Sequence, residues 1–176
     1  YLSHYQIRTR YIPTRCQITL SPLALQKINL SDRSLCAKSD NLRQIREQIA
    51  QADVVILAAR WHDWSAQALP STIQALHLRP QQQLIVVGAK DFGKVTIPLY
   101  LKQPPATLKK LLNKVDPKPL AANQLLHHSL GAHIFVDPQP LICGGYKTCR
   151  LFTDSNQLIS YDGGHLTQAG AKYVGQ

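Results

Sequence analysis

Two short apolar runs constrain this chain more than anything else in it. Asp53-Val-Val-Ile-Leu-Ala-Ala59 and Gln83-Leu-Ile-Val-Val-Gly88 show no polar alternation. Each therefore reads as a strand buried on both faces, as in a parallel sheet covered by helices on its two sides. A helical stretch from 64 to 76, interrupted by Pro70, lies between them. Strand, helix and strand in that order imply a crossover connection and hence a parallel pair.

The remaining segments extend this pattern. Residues 7–12 read as a strand, and 41–52 as a helix with Leu42, Ile45 and Ile49 on one face and Asp40 or Asn41 as its N-cap. Residues 90–105, rich in glycine and proline without a clear period, read as a loop over the end of the sheet. Leu108, Leu111, Leu112 and Val115 have helical spacing, which predicts a helix over 106–115. Pro117 and Pro119 break it, and a second helix follows over 120–130, stopped by Gly131. Residues 132–136 predict a further strand, 157–161 a short extended piece and 165–174 the last helix. The expected fold is α/β with a mainly parallel, doubly wound sheet. Active groups then belong at the carboxyl ends of the strands, which gathers the loops after Ala59, Gly88 and Val136 and the 154–165 segment along one edge.

At 176 residues the chain suits one domain, long enough to bury roughly two thirds of its unfolded surface. No apolar run approaches the roughly 18 to 20 residues of a membrane span. The chain contains no methionine, and the expectation is one part of a longer polypeptide. A formal charge of +10 favours anionic surroundings. No stripe of Lys and Arg interleaved with aromatics accompanies it, so no nucleic-acid partner is expected. The four cysteines fall as two sequence-local pairs, Cys16 with Cys36 and Cys143 with Cys149. Three connectivities are open and the local one is preferred; disulfides would indicate an oxidising compartment, free buried thiols a reducing one. Cys-x-x-Cys spacing is absent and His127, His128 and His133 lack ligand-like spacing, so no metal is expected.

The sharpest chemical signal is Tyr161-Asp-Gly-Gly-His-Leu-Thr-Gln-Ala-Gly-Ala171. An aspartate three residues before a histidine, across two glycines, lets the chain curl until the carboxylate reaches the imidazole Nδ1. That contact selects the tautomer with a free Nε2 and stabilises the imidazolium formed when His165 takes a proton from a serine hydroxyl. A bare Asp-x-x-His more often means a glycine turn with a helix cap and a surface histidine. The whole string, Asp-Gly-Gly-His-Leu-Thr-x-x-Gly-Ala, resembles the last sequence block of the SGNH hydrolase superfamily, which implies that Asp162 and His165 are two thirds of a catalytic triad.

The resemblance extends to the SGNH domain fused behind the multi-span membrane acyltransferases of the acyltransferase-three family, which O-acetylate bacterial surface glycans. It is carried by Thr14-Arg-Cys16, Cys36, Val54-Val-Ile-Leu-Ala-Ala-Arg-Trp61, the Cys143 and Cys149 pair after Val136-Asp137, and the terminal block. It implies a three-layer α/β/α sandwich of flavodoxin-like build, a seryl-ester mechanism without metal or organic cofactor, and a membrane acyltransferase domain in the same parent chain. Location on a periplasmic or extracellular face, a glycan acceptor and an acyl donor follow from it.

Three departures qualify the resemblance. The family carries its nucleophile in a Gly-Asp-Ser block after the first strand, and this sequence has none. With 7–12 read as the second strand, the first strand and its serine are expected upstream of Tyr1; Ser3 is the only nearby alternative and lacks the Gly-Asp context. The family's usual oxyanion donors, a glycine amide and an asparagine, are also missing: 13–36 has no glycine, and the loop after Ala59 offers Arg60 and Trp61. Arg60 is open to an oxyanion, acceptor-sugar or structural role, and Trp61 or Trp64 to stacking on a sugar or covering the sheet edge. The membrane half is the third. The function expected is O-acetyl transfer to a cell-surface or cell-wall polysaccharide, with a carbohydrate esterase and a non-catalytic glycan-binding module as the alternatives.

Overall fold

Both apolar runs become strands and lie side by side. A computed structural model describes residues 4–175 of the chain. In order these form α1 (Pro22–Leu25), α2 (Arg33–Lys38), α3 (Arg46–Gln51), β1 (Val54–Ala58), α4 (Asp63–Leu76), β2 (Gln83–Val87), α5 (Ile97–Tyr100), α6 (Pro105–Leu108), β3 (Leu112–Lys114), α7 (Ala121–Leu130), β4 (Phe135–Val136), α8 (Pro138–Cys143), β5 (Thr148–Arg150) and α9 (Gln168–Val174). β1, β2 and β4 make a parallel sheet in that order, and β3 pairs with β5 in a small antiparallel ribbon. The fold class is the α/β one the sequence implies.

The register puts Val55 and Leu57 of β1 beside Leu84 and Val86 of β2, with Phe135 of β4 next in line. With Leu42, Ile49, Leu69 and Leu126 they form the main core, under α3, α4 and α7. β1 departs from the expected burial on both faces: Val54 is 37% and Ile56 60% exposed. The helices packed on this core lie over the Val55–Leu57 face alone, and among the described residues β1 has a strand on one edge only. A second core holds Ala89, Phe92, Val115, Leu120, Leu151, Phe152 and Ile159. It includes Ala89 and Phe92 of the loop after β2 and Ile159 next to the 160–170 segment.

Three local expectations fail for physical reasons. Helix α4 runs through Pro70 rather than breaking there. A proline costs about 3 kcal/mol in a helix interior, and Ala66, Leu69, Thr72 and Leu76, all buried along the same helix, offset it. The helical spacing over 106–115 yields only α6 and then strand β3, because β5 supplies ladder partners and Val115 N–H donates to the Lys147 carbonyl. Tertiary pairing overrides a local period. Residues 7–12 form no strand: Ile7 and Tyr11 are exposed, and no described strand offers them a ladder. Ser3 lies outside the described residues.

The cysteines pair locally, Cys16 with Cys36 and Cys143 with Cys149, at Cα separations of 5.3 and 4.6 Å. The first bond anchors the N-terminal loop beside the main core, and the second ties the end of α8 to β5. No helix among the described residues is long and apolar enough to cross a membrane.

Candidate active site

The 160–170 segment is held by its own side chains. Ser160 Oγ donates to the His165 carbonyl at 2.7 Å and accepts from Gly163 N–H at 2.9 Å, closing the turn. Asp162 Oδ1 accepts from the Gly164 and His165 amides at 2.9 and 2.7 Å. Its other oxygen, Oδ2, lies 2.6 Å from His165 Nδ1. Thr167 caps α9 by accepting from Gly170 N–H at 2.9 Å. A Cβ at Gly170 would come within 1.9 Å of the Ile159 carbonyl, so only glycine lets α9 pack this closely. Asp162, Ser160, Thr167 and Gly170 thus each have a mechanical task within about ten positions of the histidine.

The His165 side chain is 74% exposed, and its ring stacks on Tyr161 with centroids 5.7 Å apart. Partial burial pushes the Asp162 carboxyl up, but hydrogen bonds from the His165 amide, the His165 ring and the Gly164 amide outweigh this and bring it down to about 2. A carboxylate charged throughout the physiological range faces Nδ1, so Nδ1 carries the proton and Nε2 keeps the lone pair a base needs.

The turn rests on a shelf built after β2. Asn123, almost fully buried on α7, accepts from Ala89 N–H at 2.8 Å and donates to the Ala89 carbonyl and to Asp137 Oδ1, both at 2.9 Å. A Cβ on Gly88 would strike that amide at 2.7 Å. Buried Gln139 brackets Asp91 in the same way, and Phe92 N–H donates to the Gly163 carbonyl at 2.8 Å. Gly163, at φ +91°, sits where a Cβ would be 2.3 Å from the Gly93 carbonyl. Glycine is required there for both conformation and space.

A family model described as the SGNH domain (fused to AT3 domains) matches residues 3–176. The chain belongs to that SGNH family. No curated protein and no solved structure matches it.

The SGNH domain carries a second group of polar residues at the end of β1. Trp61 is 3% exposed and its Nε1 donates to the Val87 carbonyl at 2.9 Å, so its indole is a wall of the sheet edge rather than an open stacking surface. The Arg60 carbonyl accepts from Gln17 Nε2 at 3.1 Å, while Gln17 Oε1 accepts from His62 N–H at 2.9 Å and from the Ser65 hydroxyl. Arg60 itself is exposed. With His62, Trp64, Lys118 and Pro119 it lines a cavity of about 400 Å³. The two groups sit at the ends of neighbouring strands, and β2 links them: Val87 holds Trp61, and the loop after β2 holds Gly163.

Several residues of this arrangement escaped sequence reading. Lys90, half-buried in the shelf, has its ammonium pushed down by burial and drawn back up by Asp162. Its place directly after a strand at the converging edge was the available signal. Gln17, at φ +55° and buried, and Lys118, ahead of α7, gave none.

Proposed function

We propose that this SGNH domain carries an acetyl group through a seryl ester and passes it to a hydroxyl of a bacterial cell-surface or cell-wall polysaccharide, on the extracytoplasmic side of a membrane acyltransferase domain in the same parent chain. The reading rests on the 2.6 Å contact between Asp162 Oδ2 and His165 Nδ1 beside an open ring. The description of the matching family as fused to AT3 domains supports the membrane partner, and the two disulfides support an oxidising location.

In the first half-reaction a serine Oγ attacks the acyl carbonyl carbon while His165 Nε2 takes its proton. The tetrahedral carbon then expels the donor's oxygen, which leaves with that proton, and the acyl–serine ester remains. In the second, a sugar hydroxyl attacks the same carbon, again giving its proton to Nε2, and serine departs as the restored alcohol. Asp162 stays charged throughout and holds the ring in one tautomer. The hydroxyls of Ser160 and Ser65 are committed to internal hydrogen bonds, with the His165 carbonyl and with Gln17 and the His62 carbonyl. No described serine stands in the Gly-Asp-Ser block of the family, and the proposed nucleophile is a serine outside the described residues. The open edge of β1 supports a strand that pairs there and brings the serine to the same end of the sheet.

The natural full-length protein should hydrolyse an aryl acetate and lose about 10³-fold or more of that rate in His165→Ala. Equal rates in the two proteins would discard the assignment of His165 as base. The ring's exposure also admits water, which favours the carbohydrate-esterase reading as the second one. Following radiolabelled acetyl into glycan or into free acetate separates the two.

A further inference from the structure

We infer that the cleft at the end of β1 binds a negatively charged sugar unit of the acceptor, a monosaccharide bearing a carboxylate or phosphate. The inference rests on the glycan-directed reading above and adds to it the chemical class of the acceptor.

The cleft brings together two cations from distant parts of the chain, Arg60 from the end of β1 and Lys118 from the turn before α7. Neither has an acidic partner: the ion pairs among the described residues are Arg15 with Asp32, Arg150 with Asp154, and His165 with Asp162. Asp63 is the one acid lining the cleft, and it stands in the first turn of α4, where the helix dipole favours its charge. Two cations against one carboxylate leave Arg60, Lys118 and Asp63 together at +1. Bringing two like charges to one concave surface raises the energy of the empty site, and an anion between them relieves it.

Arginine and lysine offer donors only. A neutral sugar can accept from them but returns no charge for the hydration they give up, whereas a carboxylate or phosphate can take the guanidinium fork on two oxygens. The half-buried Trp64, with His62 edge-on at a ring separation of 5.9 Å, supplies the apolar side that a pyranose C–H face requires. A volume of about 400 Å³ suits a small ring rather than a long chain. Trp61 ties this cleft to the end of β2, the strand whose following loop holds the Gly163 turn.

The test is calorimetric and uses the natural full-length protein carrying His165→Ala, so that no turnover intervenes. The probes are a hexuronic-acid trisaccharide, the same trisaccharide with its carboxylates reduced to alcohols, and a phosphorylated monosaccharide alongside its unphosphorylated parent. At least one anionic probe should bind about tenfold more tightly than its neutral counterpart. Arg60→Gln and Lys118→Gln, both at exposed side chains, should each remove most of that difference and weaken neutral binding far less. Preference for one anion over the other names the source of the charge. Equal affinity for charged and neutral probes, or a preference that survives both substitutions, overturns the inference. Binding is read without catalysis, so a failed triad assignment leaves this result standing, and a failed cleft leaves the triad untouched.

Discussion

The two polar groups at the carboxyl end of the sheet are built on opposite plans. In the 160–170 turn the bonds that aim His165 span five residues or fewer, and the turn needs only a shelf to rest on. The Arg60–Ser65 turn holds little of itself. It is positioned by Gln17, 43 to 48 residues earlier, and by Val87, 26 residues later, and its cleft is completed by Lys118. A self-contained turn keeps the Asp162–His165 geometry constant, while an assembled cleft changes when any one contributor is altered.

This contrast is open to attack at three points. The largest effect is expected from Asp162→Asn, which keeps the shape but loses the charge and tautomer control. It should lower kcat on an aryl acetate by about 10³- to 10⁴-fold, with the probe affinities of the Arg60 cleft unaltered. A loss of tenfold or less would show that the carboxylate does not aim the base.

Next comes Gln17→Ala. Gln17 joins the Thr14 and Arg60 carbonyls to the His62 amide and the Ser65 hydroxyl in a buried position. Its removal leaves several buried groups unpaired and should cost about 2 to 4 kcal/mol in chemical denaturation. Anionic-probe binding should weaken while the rate per folded molecule falls far less, and an equal fall in both would mean the two groups are one cooperative unit.

The smallest effect concerns pH. The Asp162 carboxyl is depressed from 3.8 to about 2 in the folded protein. A depressed acid stabilises the fold above its ordinary value, and that contribution disappears as pH falls through the folded one. The pair should therefore add stability above roughly pH 4 that vanishes by about pH 2, amounting to less than about 1 kcal/mol because solvent screens a carboxylate this exposed. Acid titration of unfolding, compared between the wild type and Asp162→Asn, measures it. For the same reason, any acid limb of the rate profile above pH 4 belongs to a group other than Asp162.

Legibility followed the same division. The Asp162–His165 pair could be read because the glycines, cap and base all fall in one short string. The strands β1 and β2 and the helix ended by Gly131 were equally plain as elements, since each is a run of consecutive residues, although β1 is buried on one face and not on both as expected. The 106–115 segment was misread because Leu108, at the end of a short helix, and Leu111 and Val115, on either side of a strand, pack into the second core, and their spacing alone does not separate that from one helix. Residues 7–12 have the composition of a strand but no described partner. Asn123 and Gln139 gave no signal in the sequence, although both are buried clamps on the loop after β2.

The sequence by itself determined the α/β order of β1, α4 and β2, the local pairing of the cysteines and the carboxylate-to-imidazole contact, because each is closed over a short stretch of chain and needs little help from elsewhere. Only the tertiary structure decided that one face of β1 stays open, that Trp61 is a wall rather than a platform, and that Lys118 and Arg60 line one cleft. Those outcomes depend on which distant segments meet, and a pairing across fifty residues leaves no local period to read.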